Sequence, residues 1–127
     1  MPDKTVIEKL LIKPGKKVLV VSSPQELEAR LGPLPEGVDL LDGPGEPADI
    51  ILVFAKNRQE MEAQLPWLIT ALDPLGALWV AYYKGTARVK TDIHRDMINA
   101  YAKTLGLIGV AMISIDQDWS ALRLKVQ

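Results

Sequence analysis

Lys13-Pro14-Gly15-Lys16-Lys17-Val18-Leu19-Val20-Val21-Ser22-Ser23-Pro24 is the stretch that decides the fold. Pro14-Gly15 is a turn signal, because proline presets φ and glycine admits a left-handed residue. Lys17–Val21 is a β-branched and leucine run without polar alternation, the pattern of a strand covered on both faces. Ser22-Ser23-Pro24 then breaks it. Ser23 is placed to cap a helix whose first residue is Pro24, with Glu26 in the capping-box position. A buried strand that turns directly into a helix opens an α/β domain built on a parallel sheet.

Upstream, Asp3–Ile12 places Val6, Ile7, Leu10 and Leu11 on one helical stripe, ended by Pro14-Gly15. Downstream, the helix begun at Pro24 stops at Gly32-Pro33. Val38–Leu41 has strand composition, and Asp49–Ala55 is a second strand buried on both faces. Only seven residues, Asp42 to Ala48, separate the two, whereas a parallel crossover usually takes a dozen or more. Val38–Leu41 is therefore either a ragged edge strand or no strand at all.

Asn57 caps a helix over Arg58–Leu72, with Met61, Leu65, Leu68, Ile69 and Leu72 turned inward and Pro66 bending it. Asp73-Pro74-Leu75-Gly76 turns the chain into the buried strand Ala77–Tyr83. Thr91 caps a helix to Leu105, with Asp92 at its positive end and Ile93, Met97, Ile98, Tyr101 and Leu105 facing the core; Gly106 ends it. Leu107–Ile115 and Ser120–Val126 are strands joined by Asp116-Gln117-Asp118-Trp119, and so short a link permits only an antiparallel pair. In the last strand Leu122, Leu124 and Val126 alternate with Arg123 and Lys125, which predicts one wet face. The expected architecture is a single α/β domain over 1–127: a mainly parallel sheet, helices on both faces, and a C-terminal antiparallel hairpin.

Composition narrows the function classes. A net charge of −1 gives no support for nucleic acid as a partner, and no basic stripe is interleaved with aromatics. The C-terminal third is basic, with seven bases against four acids over residues 84–125, which suits a small anion. Absence of cysteine excludes disulfides, thiol catalysis and cysteine-ligated zinc. The longest apolar runs, Ala77–Tyr83 and Leu105–Ile113, are too short to span a bilayer, and no signal-peptide pattern is present, so a cytoplasmic protein without membrane contact is expected.

Two phrases carry a resemblance. "LLIKPGKKVLVV" is similar to the entry into the first strand of Rossmann-like S-adenosylmethionine-dependent methyltransferases, and "LDPLGALWVAY" to the lead into their fifth. The final hairpin resembles their sixth and seventh strands. Through "WVAYYKG", "TDIHRD" and "DQDWSALRLK" the whole chain more closely resembles a family of small methyltransferase-like bacterial proteins. The resemblance implies a Rossmann-like, methyltransferase-like fold and no particular activity. True methyltransferases carry an acid in the first strand and then a Gly-x-Gly turn that lets the backbone approach the cofactor. Val18-Leu19-Val20-Val21-Ser22-Ser23-Pro24 has neither. After the middle strand, Ala55-Lys56-Asn57-Arg58 replaces the Asn/Asp-Pro-Pro-aromatic loop of amino- and DNA-methylating relatives. S-adenosylmethionine is accordingly disfavoured as the cofactor.

In open parallel sheets, ligands bind beyond the carboxyl ends of the strands where strand order reverses. Ser22 and Ser23, Lys56, and Lys84 with Thr86 follow three such ends, so two ammonium groups and a helix start are expected to converge on one anion-binding rim. Asp42 is placed to accept hydrogen bonds from a ribose, and Trp119 to cover the open end of the core near that rim. Lysines that end buried strands simply by reaching water give the same pattern. His94, the sole histidine, reads as a surface residue on its helix, and Asp116 and Asp118 as turn formers without a third oxygen-rich segment to hold a cation. The favoured reading is a non-catalytic domain that binds a small anion, a nucleotide or a partner protein, or serves regulation. The alternatives are an S-adenosylmethionine-dependent methyltransferase using Ser22 and Ser23 in place of glycine, and a structural module assembling as a homodimer.

Overall fold

β1 (Lys17–Val21), β2 (Asp39–Leu41), β3 (Ala48–Phe54) and β4 (Leu72–Tyr83) run parallel, and β5 (Leu107–Ser114) and β6 (Trp119–Val126) complete the same sheet as an antiparallel pair. Their order is β2-β1-β3-β4-β6-β5. The computed structural model describes residues 5–22, 34–41, 45–84 and 92–126. The helix expected from Pro24 lies outside them.

Two cores lie on opposite faces of this sheet. One joins Leu19, Ile51, Val53, Val80 and Leu122 to Met61, Leu65 and Leu68 of α2 (Arg58–Ala71) and to Ile98 and Ala102 of α3 (Arg95–Thr104). The other joins Val18, Ile50, Leu52, Phe54, Trp79 and Trp119 to α1 (Val6–Lys9) and the residues just after it, Leu10 and Ile12. Cores on both faces explain why β1 and β3 alternate no polar residues: most of their side chains are shielded from water.

The short crossover is resolved by β2 being a three-residue edge strand, with Leu40 50% exposed. Leu41 stands level with Leu19, and Leu19 with Ile51, so the chain drops only three residues to reach Ala48. That return is about 10 Å along the strands and about 10 Å across two strand spacings, well within the reach of the linking residues.

Several boundaries differ from the sequence expectation. α1 starts at Val6, because Thr5 and Glu8 form a capping box there, and it ends at Lys9, before the proline. Leu11 already has φ +68, so the stripe is cut at Leu10, whose carbonyl accepts the Trp79 indole N–H at 3.0 Å. β4 begins at Leu72 rather than Ala77. Leu72 pairs with Ala48 and Ala77 with Ile50, so Asp73–Gly76 bulges out within the strand. α3 begins at Arg95, with His94 at its N-cap making no side-chain cap bond. Asp92 does not enter α3; its Oδ1 accepts the Arg58 N–H at 2.7 Å and satisfies an orphan amide of α2. The expected wet face of β6 is met only at its end, where Lys125 is exposed beside the buried Leu124. β6 lies between β4 and β5, its first four residues are buried, and Arg123 is half-buried.

Gly76 is required by contact rather than by φ. A Cβ there would lie 2.6 Å from the Asp49 carbonyl oxygen. Gly76→Ala is expected to destabilise the fold by about 1–3 kcal/mol through this overpacking, read as a lowered urea midpoint at unchanged m-value. Among the described residues no helix is long and apolar enough to cross a membrane.

Candidate functional site

Strand order reverses at β1. From there the chain moves outward to β2, then returns to the far side of β1 for β3 and continues to β4. A crevice beyond the carboxyl ends of β1 and β3 is the place such a sheet offers to a ligand. Ser22 stands at that point, exposed, with φ +56. A left-handed conformation at a residue other than glycine costs roughly 1–2 kcal/mol. The chain thus retains the sharp turn that glycine normally supplies, but makes it with serine. Ser23, Asp42 and Thr86 lie outside the described residues.

Lys56 follows β3 and is exposed on the rim, and its backbone N–H donates to Glu60 Oε2 at 2.8 Å. Two first-turn amides of α2 beside it already have side-chain acceptors. Asn57 Oδ1 accepts the Glu60 N–H at 2.9 Å, and Asp92 takes that of Arg58. Lys84 is drawn the other way. Its Nζ donates to Ser114 Oγ at 2.6 Å, and its backbone N–H to the Asp118 carbonyl at 2.8 Å, tying the end of β4 to the hairpin.

Trp119 belongs to the core beneath the rim. It is 1% exposed, meets Phe54 edge-on with ring centres 5.0 Å apart, and stacks on Tyr83 at 4.1 Å. Asp116 Oδ1 accepts the backbone N–H groups of Asp118 and Trp119, both at 2.8 Å, which makes it the organiser of the hairpin turn. No group of three or more metal-ligating side chains occurs among the described residues.

A hollow of about 370 Å³ opens next to the end of β4, lined by Tyr82, Lys84, His94, Arg95, Met112 and Ser120 among others. Ser120 is 9% exposed, and its hydroxyl has no hydrogen-bond partner among the described residues. Tyr82 Oη lies 3.1 Å from Met112 Sδ. Burial pushes the Tyr82 phenol above its ordinary pKa, with Arg95 opposing and Asp96 reinforcing the shift. Sequence reasoning placed Lys84 near this hollow but missed Tyr82 and Ser120, which it read as core and strand positions. Only the pairing of Tyr82 with Ser120 across β4 and β6 brings them together.

The folded state favours the neutral phenol, so stability from this group is complete below the unfolded value near 10 and falls as pH rises above it. Tyr82→Phe is expected to flatten that alkaline decline, as read from urea unfolding between about pH 9 and 11.

Solved structures show what the fold is. DhpI, in complex with S-adenosylhomocysteine, superimposes with a TM-score of 0.65 at 13% identity, covering 95% of this chain and 82% of its own. An S-adenosylmethionine-dependent methyltransferase from Aquifex aeolicus gives 0.61 at 12% identity, covering 96% and 88%. The fold is that of the S-adenosylmethionine-dependent methyltransferases. The ribosomal protein L11 methylase of Lactobacillus delbrueckii subsp. bulgaricus shares this methyltransferase fold at a TM-score of 0.58 and 14% identity, over 95% of this chain and 74% of that one. At such identities the likeness is one of architecture. No protein-family model and no curated protein matches the chain. The methyltransferase-like architecture expected from "LLIKPGKKVLVV" and "LDPLGALWVAY" is therefore present, antiparallel closing hairpin included.

Proposed function

We propose that this chain binds S-adenosylmethionine at the carboxyl edge of β1 and β3 and acts as a methyltransferase on a small acceptor. The observation that carries this reading is Ser22. A strained residue persists only where the surrounding structure holds it, and such residues gather at ligand sites. Here the strain falls at the first residue after β1, in the crevice where the sheet order reverses. In this reading the Ser22 and Ser23 backbone approaches the nucleoside, and Asp42, directly after β2, accepts from its ribose. Bound there, the cofactor would supply a sulfonium methyl group. The hollow beside Tyr82, Lys84 and Ser120 is the acceptor side, where the Ser120 hydroxyl, unpartnered among the described residues, orients a polar substrate.

Binding without methyl transfer, as a small-anion or regulatory domain, is favoured by one sequence feature: β1 carries no acid. The convergence of Lys56 and Lys84 gives it less support, since the Lys84 ammonium is engaged by Ser114. Calorimetry with S-adenosylhomocysteine, accompanied by amide shifts at Val21, Ser22 and Phe54, tests the cofactor reading. Saturable micromolar binding is expected, and no saturation at millimolar ligand would overturn it. Tight binding with no transfer of labelled methyl to any panel of small amines, thiols, hydroxyls or carboxylates would favour the regulatory reading instead.

A further inference from the structure

At the opposite edge of the sheet, beside the amino ends of β3 and β4, lies a cavity of about 400 Å³. Among the described residues it shares none with the crevice beyond the carboxyl ends of β1 and β3. Trp119, Ala121 and Arg123 of β6 share the face covered by α1, and Arg123 is the charged member of that series. Its Nε is buried and has no hydrogen-bond partner among the described residues. A buried donor left unmet is costly, and a guanidinium more so than a neutral amide, so an orphan of this kind beside an open cavity points to a ligand as its partner.

The neighbouring acids do not supply one. Asp49 Oδ2 accepts the Lys17 N–H at 2.9 Å, and Asp73 Oδ1 accepts the Leu75 N–H at 2.9 Å. Neither carboxylate pairs with Arg123 among the described residues. Lys13 and Lys16, both exposed, stand at the mouth. The lining thus holds three cations and two anions, a balance that suits a singly charged acid better than a dianion. Two further features shape the wall. Leu11 lines the cavity with φ +68, a conformation that a bulky side chain adopts at a cost, and Leu75 is 95% exposed beside it.

We propose that this cavity binds a small molecule through a carboxylate group, with Arg123 as its anchor, Lys13 and Lys16 at its mouth, and Leu11 and Leu75 against its apolar part. Guanidinium offers a carboxylate two parallel N–H donors, which would satisfy the buried Nε directly.

The test is an NMR titration of the whole chain at constant ionic strength, following backbone amides and the Arg123 Nε–H resonance, with butyrate in one arm and inorganic phosphate in the other. Saturable shifts of Arg123 Nε–H and of the Gly76 and Ala77 amides are expected with butyrate, and weaker ones with phosphate. Arg123→Gln should weaken butyrate binding at least about tenfold. Lys13→Ala combined with Lys16→Ala, at exposed positions that leave the core intact, should weaken it about threefold to tenfold and decides the matter if Arg123→Gln fails to fold. No saturation with butyrate, shifts indifferent to the lysine changes, or phosphate binding as tight as butyrate would each overturn the assignment.

Discussion

Trp119→Ala is expected to lower the free energy of unfolding by about 3–5 kcal/mol, the largest loss foreseen for any side chain at the rim. The indole stands where three strands end together. Phe54 closes β3, Tyr83 closes β4, and Trp119 itself opens β6. Its ring packs edge-on to Phe54 at an interplanar angle of 88° and lies nearly flat on Tyr83 at 27°. Truncation removes both contacts and leaves a void that backbone fixed by the β4–β6 ladder cannot close. Trp119→Phe retains a ring and should cost about half as much, so the pair separates packing from loss of volume. Urea unfolding followed by circular dichroism measures both. A loss below about 1 kcal/mol in Trp119→Ala, the range of an exposed position, would move the ring from the core to the rim surface.

The parts of the fold legible in the sequence are those in which local pattern and burial agree. Lys17–Val21 is a strand at the bounds its composition indicated, because both its faces are covered and nothing competes. The antiparallel hairpin followed from the length of its turn alone. The misjudged boundaries belong to residues whose partners are remote in sequence. Asp92 has the look of a helix-start acid, yet it caps α2, thirty-four residues away from Arg58, and α3 begins later in consequence. Leu72 looks like the last inward residue of α2, but the ladder to Ala48 draws it into β4. The site follows the same rule. Lys84 reads as a rim cation from its position after a buried strand, and only the hairpin lying beside β4 reveals Ser114 as its acceptor. Arg123 reads as the wet half of an alternating strand. Its burial becomes visible once β6 is found between β4 and β5.

Ser22 should respond with opposite sign to two substitutions. Ser22→Gly relieves a φ of +56 that costs serine roughly 1–2 kcal/mol, but it also returns entropy to the unfolded chain, so a net gain of at most about 1 kcal/mol is expected. Ser22→Val places a β-branched side chain in the same conformation, where its methyl groups crowd the flanking carbonyls. The backbone must then leave the left-handed region, which re-aims the amides that follow β1. If those amides carry the cofactor, affinity for S-adenosylhomocysteine falls by two orders of magnitude or more, about 2.8 kcal/mol, while Ser22→Gly binds at least as tightly as the natural chain. The two readouts are separable, because the turn is exposed and its distortion removes little buried surface. Unchanged cofactor affinity in Ser22→Val would mean that the turn shapes only the strand end, and the methyltransferase reading would lose the observation on which it rests. A gain of stability in Ser22→Gly accompanied by weaker binding would instead assign the serine hydroxyl itself, rather than the turn, to the ligand.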